Sequence, residues 1–303
     1  MIPYGKQKIS NSDIKAVVKV LKSPYLTQGP VVKKFEKAVA KKVKSKYAIA
    51  VNSATSALHL SCLALGLKKN DILWTVPNSF VASANCARYC EAKVDFIDID
   101  SKTYNISISD LKKKLLIAKK KSLLPKILIP VHLSGQPTEQ EEIWKLSKKY
   151  NFKIIEDASH SIGASRNNEP VGSCKWSDLT VFSFHPVKII TSGEGGMVLG
   201  NNLKIMNKIE ILKNHGITKN KKNFKRKNKG QWYYEQQELG FNYRMSDIHA
   251  ALGLSQLGKL NLFVKKRNMI AKRYFNSLKK LPIQLPYIQK ENISSFHLFI
   301  IRL

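Results

Sequence analysis

Acidic residues are scarce in this chain, and that shortage dominates its composition. Against 52 Lys and Arg stand 21 Asp and Glu, which gives a formal charge of +31. Such a charge could serve a polyanion, but a second shortage argues against that use. Only seven of the basic residues are Arg, whereas recognition of phosphates and bases favours the planar guanidinium fork. The lysines are spread along the whole chain beside many Asn and Ile. This is the pattern of a background bias, so neither nucleic acid nor a membrane surface is expected as a partner. The densest basic run, residues 219–229, contains Asn220, Asn223 and Asn228 and leads into Gly230, and reads as a solvated loop. Cysteines are few: Cys62, Cys86, Cys90 and Cys174 show no Cys-x-x-Cys spacing and no clustered His. No metal site and no disulfide framework is therefore expected, and a reducing compartment fits. No segment approaches the roughly 18 apolar residues of a membrane span, and the N-terminus lacks the apolar stretch of a secretory signal. The expectation is a soluble, cytoplasmic protein.

What is present is enough for a core. At 303 residues with 43% hydrophobic content, the chain can form one large domain and part of a second. Asn11-Ser12-Asp13 before Ile14, Val17, Val18 and Leu21 predicts a capped amphipathic helix, and Pro30 before Val32, Phe35 and Val39 predicts another. Strands are then predicted over 47–51, 72–76, 94–99, 127–131, 152–156, 179–184 and 197–199. Helices are predicted over 57–65, 79–89, 110–119 and 139–149, with another ending at Lys213 and a long one over 248–278. This alternation implies an α/β fold, with a mostly parallel central sheet covered by helices on both faces. Ligands in such sheets bind beyond the carboxyl ends of the strands. Three polar clusters fall at such ends: Asn52 to Ser56, the Glu156-Asp157 pair, and Ser183 onward. A final strand is predicted over 295–303, and ending there suggests a truncated C-terminal part.

One lysine differs from the rest. Lys188 lies between Val187 and Ile189, after an aromatic, hydroxyl-bearing strand. Partial desolvation there would lower its pKa and supply the neutral amine that attacks a carbonyl. The same residue could also snorkel its head to water. Likewise Ser53 to Ser56 could be an anion site at a helix start or an ordinary N-cap. Asp157 follows a strand directly, where a carboxylate can hold a heterocyclic nitrogen protonated. An Asp-Lys pair and a helix N-terminus together suit pyridoxal phosphate.

The segments Asn52-Ser53-Ala54-Thr55-Ser56-Ala57-Leu58, Pro77-Asn78-Ser79-Phe80-Val81-Ala82, Glu156-Asp157-Ala158-Ser159-His160, Ser183-Phe184-His185-Pro186-Val187-Lys188 and Gly240-Phe241-Asn242-Tyr243-Arg244 carry a family resemblance. The chain resembles the DegT/DnrJ/EryC1/StrS sugar-nucleotide aminotransferases of pyridoxal phosphate fold type I. Ile2-Pro3-Tyr4-Gly5, Leu26-Thr27-Gln28-Gly29-Pro30 and Val131-His132-Leu133-Ser134-Gly135-Gln136 narrow the likeness to enzymes of pseudaminic acid biosynthesis that aminate a UDP-linked 4-keto-6-deoxy-N-acetylhexosamine. The resemblance implies a large cofactor domain over 1–250 and the start of a smaller, incomplete one over 251–303. It implies pyridoxal 5'-phosphate as cofactor, L-glutamate as donor, and a homodimer with composite sites. It makes Lys188 the Schiff-base lysine and Asp157 the partner of the pyridine nitrogen. His160 would lie near the phenolic oxygen, and Phe80 would stack on the ring. The phosphate would be held by Ala54, Thr55 and Ser183, and by Asn242 from the second subunit. Tyr4, Leu26 and Thr27 would line the sugar-nucleotide pocket. Two alternatives stay open: an amino-sugar synthase for another keto sugar, or a catalytically silent, truncated homologue.

Overall fold

The computed structural model describes residues 5–225 and 230–303. Among them the helices are α1 (Asn11–Leu21), α2 (Pro30–Val43), α3 (Ala54–Ala64), α4 (Ala82–Tyr89), α5 (Ile108–Lys120), α6 (Gln140–Tyr150), α7 (Leu203–Leu212), α8 (Asp247–Leu257) and α9 (Leu260–Leu278). The strands are β1 (Tyr47–Val51), β2 (Ile72–Thr75), β3 (Lys93–Phe96), β4 (Ile127–Leu128), β5 (Lys153–Asp157), β6 (Ser165–Arg166), β7 (Glu169–Pro170), β8 (Leu179–Ser183), β9 (Gly196–Gly200), β10 (Ile217–Thr218), β11 (Glu235–Gln236) and β12 (Asn292–Ile293). Seven of them form the central sheet in the order β1-β9-β8-β5-β4-β2-β3, and only β9 runs against the rest. The mostly parallel α/β sheet is thus as the alternation predicts.

The two-residue period of each strand sorts its side chains between two layers. Ile49, Leu73, Ile127, Ile155, Val181 and Val198 join the core beneath α3, α4 and α7. Their neighbours Ala50, Phe182 and Met197 pack on the opposite face with α2 and α8, while Trp74, Leu128 and Ile154 pack there with α5 and α6. The exposed side of edge strand β1 is closed by charge. Ala50 N–H donates to Glu36 Oε1 at 2.9 Å, and its carbonyl accepts from Lys213 Nζ at 3.4 Å. Glu36 and Lys213 are themselves paired at 3.5 Å and buried. Lys213 also pairs with Glu210 at 2.9 Å, so removing Glu36 chiefly leaves the buried Ala50 N–H without its acceptor. Glu36→Ala is therefore expected to cost about 2 kcal/mol, read as a fall in the urea midpoint, and an unchanged midpoint would refute this role.

Three expectations change. The predicted 248–278 helix is two helices, broken at Gly258 and Lys259. Gly258 is a weak helix former, and α8 packs on α1 and α2 while Lys259 Nζ turns back to Asp13 at 2.6 Å. The helix predicted from residue 79 begins at Ala82, leaving Ser79 and Phe80 in the turn before it. The predicted 295–303 strand is irregular; only Arg302 pairs, with Gln284. Its hydrogen bonds go instead to the loop after β4, where Ser295 N donates to Gly135 O and His297 N to Ser134 O. Of the few arginines, Arg88, Arg166, Arg244, Arg267 and Arg302 each bond to carbonyl or amide groups within the chain.

Candidate active site

The carboxyl ends of β1, β5 and β8 meet at one place. Val51 and Ser183 both pair with Gly196, and Gly196 in turn abuts the start of α3. A Cβ on that glycine would lie 2.6 Å from Ala54 N, so only glycine lets the strand approach the helix so closely. Ser53 caps α3 through a bond from Ser56 N to its Oγ at 3.1 Å. The N–H groups of Ala54 and Thr55 come before that capped donor, in the turn where no helical partner exists. With the Thr55 hydroxyl, the buried Ser183 and the helix dipole, they could hold a phosphate.

Asp157 ends β5, is buried, and pairs in register with Val181 of β8. Its Oδ2 accepts from Ser83 Oγ at 2.6 Å, and its Oδ1 accepts from Ser159 N at 3.1 Å and Ser159 Oγ at 2.6 Å. Three donors leave one of the roughly four acceptor positions of a carboxylate for a further N–H. Glu156 points to the other face, as strand alternation requires. It accepts from Ser177 Oγ at 2.5 Å and Thr180 Oγ1 at 3.0 Å, and pairs with His132 Nε2 at 2.7 Å. Thr138 N donates to His132 Nδ1, so the imidazole proton sits on Nε2 and is donated to Glu156. The acidic pair of the sequence is thereby split: Asp157 faces the site and Glu156 anchors the strand behind it.

Lys188 follows β8 in a turn closed by its N–H to His185 O at 2.9 Å. Burial lowers its pKa below 10.5, and the Asp157 charge opposes part of that fall. His160 is pushed down to about 4 by burial first and by the Lys188 charge second, with Asp157 opposing. Its Nδ1 is buried without a hydrogen-bond partner. An orphaned nitrogen, a carboxylate with one free position, a desolvated amine and open helix N–H groups all fit pyridoxal phosphate.

The remaining predicted residues lie around this centre. Phe80 is 74% exposed, in the turn that leads to Ser83. Asn242 is exposed, its backbone bridged to Asn214, and the next carbonyl, Tyr243 O, accepts from Asn52 N at 2.9 Å. Leu26 O accepts from Asp247 N, and Thr27 pairs with Ser246. Tyr4 lies outside the described residues; a Cβ on Gly5 beside it would lie 3.1 Å from Val187 Cγ1. Sequence reasoning missed the residues that hold others in place. Ser159 could have been found, because Asp-x-Ser is an Asx-turn pattern. Asp247, fully buried and accepting from Gly29 N at 2.7 Å and Val31 N at 2.8 Å, fixes the 26–31 turn across the chain, and no local signal marks it.

Known proteins resemble this chain in sequence and in fold. Residues 7–303 match the family model described as the DegT/DnrJ/EryC1/StrS aminotransferase family. A Campylobacter jejuni UDP-4-amino-4,6-dideoxy-N-acetyl-beta-L-altrosamine transaminase is 43% identical over 282 residues, 93% of this chain and 71% of that protein. Among solved structures, Helicobacter pylori PseC, an aminotransferase involved in pseudoaminic acid biosynthesis, superposes with a TM-score of 0.87 at 32% identity. That match covers 99% of this chain and 76% of the other. The pyridoxal phosphate form of a putative Streptococcus pneumoniae sugar aminotransferase gives 0.87 at 26% identity, covering 100% and 78%. With the family model matched over residues 7–303 and the fold shared with solved aminotransferases, the chain belongs to the DegT/DnrJ/EryC1/StrS family and is a pyridoxal phosphate-dependent aminotransferase.

Proposed function

We propose that the protein transfers the amino group of L-glutamate to the C4 ketone of a UDP-linked 4-keto-6-deoxy-N-acetylhexosamine, as a step of pseudaminic acid biosynthesis. The observation that carries amino transfer is the desolvated Lys188 amine beside Asp157 and His160. The choice of sugar rests on the likeness to the Campylobacter transaminase.

Pyridoxal phosphate, when bound, supplies a carbonyl for covalent capture of amines and an electron sink. Lys188 would hold it covalently, and its desolvated amine would also be the group that takes up a proton and returns it. Asp157, held by Ser83 and Ser159, uses its free acceptor position for the ring N–H. Ala54, Thr55 and Ser183 bind the phosphate, and Asn242 from a second copy completes that site in a homodimer. His160 takes the phenolic side, and Phe80 covers the ring. Tyr4, Leu26 and Thr27 contact the sugar nucleotide. A large domain over 1–250 with a smaller one over 251–303, and a cytoplasmic location, belong to the same reading.

The test is incubation of the loaded protein with glutamate and a panel of UDP-keto sugars, with products identified by mass spectrometry. Mass gain on the 4-keto-6-deoxy-N-acetylhexosamine is expected, together with 2-oxoglutarate. Amination of a different keto sugar alone would move the sugar assignment and leave transamination standing. No product from any sugar would favour a silent homologue. Full activity in a protein that sediments as a monomer would remove the composite site.

A further inference from the structure

His160 is gripped from two sides by a segment 135 residues further along the chain. Ser295 Oγ donates to the His160 carbonyl at 2.9 Å. The His297 ring lies on the His160 ring with centroids 4.3 Å apart and planes 32° from parallel. The segment itself is held firmly. His297 N donates to Ser134 O at 2.8 Å, Ser295 N to Gly135 O at 3.0 Å, and Arg267 Nη1 to the carbonyls of Phe296 and His297. Gly135 is required here: its φ is +97°, and a Cβ would meet Ser295 Oγ at 2.5 Å, Phe296 N at 2.9 Å and His160 O at 3.0 Å. Phe296 and Ser134 both hold left-handed backbone, at φ +44° and +60°, a conformation that persists in non-glycine residues only where the surroundings impose it. Both imidazoles bury Nδ1 without a partner, so the contact joins ring to ring and is not a hydrogen bond.

We propose that this clamp, with Ser295 on the carbonyl and His297 on the ring, sets the orientation of the His160 imidazole and shuts water away from it. His297 is thus a positioning residue of the active site that acts through His160. Its value for catalysis rests on the assignment of His160 to the cofactor's phenolic side. The charged groups that face the two rings are Lys188 and Asp157 from the strand ends and Arg267 from α9. Burial is the largest cause holding both imidazoles below their ordinary range, so loss of the covering ring should be felt at His160 first.

The experiment follows the His160 imidazole by NMR in the full chain, its signal identified by its absence in His160→Phe. In the wild type it should titrate near 4. In His297→Ala it should move up toward 6.5, the ordinary value, whereas His297→Phe keeps a covering ring and should leave it low. Should His297→Ala fail to fold, Gly135→Ala, which pushes the clamp away without touching either ring, should give the same rise. A His160 titration unmoved in the folded variant overturns the proposal. The visible band after addition of pyridoxal phosphate separates the two ideas. If His160→Phe leaves the band and its pH midpoint unchanged, the cofactor role of His160 falls. If His160→Phe shifts the band and His297→Ala does not, the clamp alone falls.

Discussion

Lys188→Ala should remove the visible absorbance that pyridoxal phosphate acquires on the protein, and should lower turnover by about 10⁴-fold, the upper range for a positioned proton-transfer group. Among the described residues nearly all of the other lysines face water. Exposed ammonium groups stay charged and cannot attack a carbonyl, whereas Lys188 is desolvated and sits where Asp157 and His160 converge. Chemical rescue separates the lost amine from a lost shape. A small primary amine added to Lys188→Ala should recover part of the rate if the side chain acts by its nitrogen. Borohydride-fixable cofactor retained on the variant would show that another lysine carries it.

The sheet, and the polar residues at its carboxyl edge, were legible because their signals are local. Strand alternation announced the layers, Asp157 and Ser183 end their strands, and Lys188 lies in the turn that follows β8. What could not be read is what joins distant segments. Asp247 fixes the 26–31 turn from 216 residues away, and His297 covers His160 from a segment that reads as a plain apolar strand. Its backbone groups are drawn instead to Ser134 and Gly135, whose unusual φ angles leave no trace in hydrophobic periodicity. The break at Gly258 was missed for a related reason: helical periodicity continues through it, and only the packing of α8 on α1 and α2 shows that two helices are needed.

Asp157→Asn is expected to keep the cofactor bound and lose turnover by about 10²–10³-fold, the size of removing one preorganised electrostatic partner. The amide oxygen can keep both Ser159 donors while its NH2 donates to Ser83 Oγ, which can turn its own proton to Ser79 Oγ at 2.6 Å, so the fold should survive, but it offers no negative charge to hold a ring nitrogen protonated. A second readout needs no turnover. In the cofactor-free protein the Asp157 charge raises the Lys188 pKa while burial lowers it. Removing the charge leaves burial unopposed, so the Lys188 pKa must fall further below 10.5. The neutral amine then predominates from a lower pH, and labelling of Lys188 by a small aldehyde should reach its plateau at lower pH in Asp157→Asn than in the wild type. The signs of the two effects differ: the amine becomes more available while the enzyme becomes slower. A variant that loses labelling and turnover together would indicate a disturbed site, and wild-type turnover would take Asp157 out of the chemistry altogether.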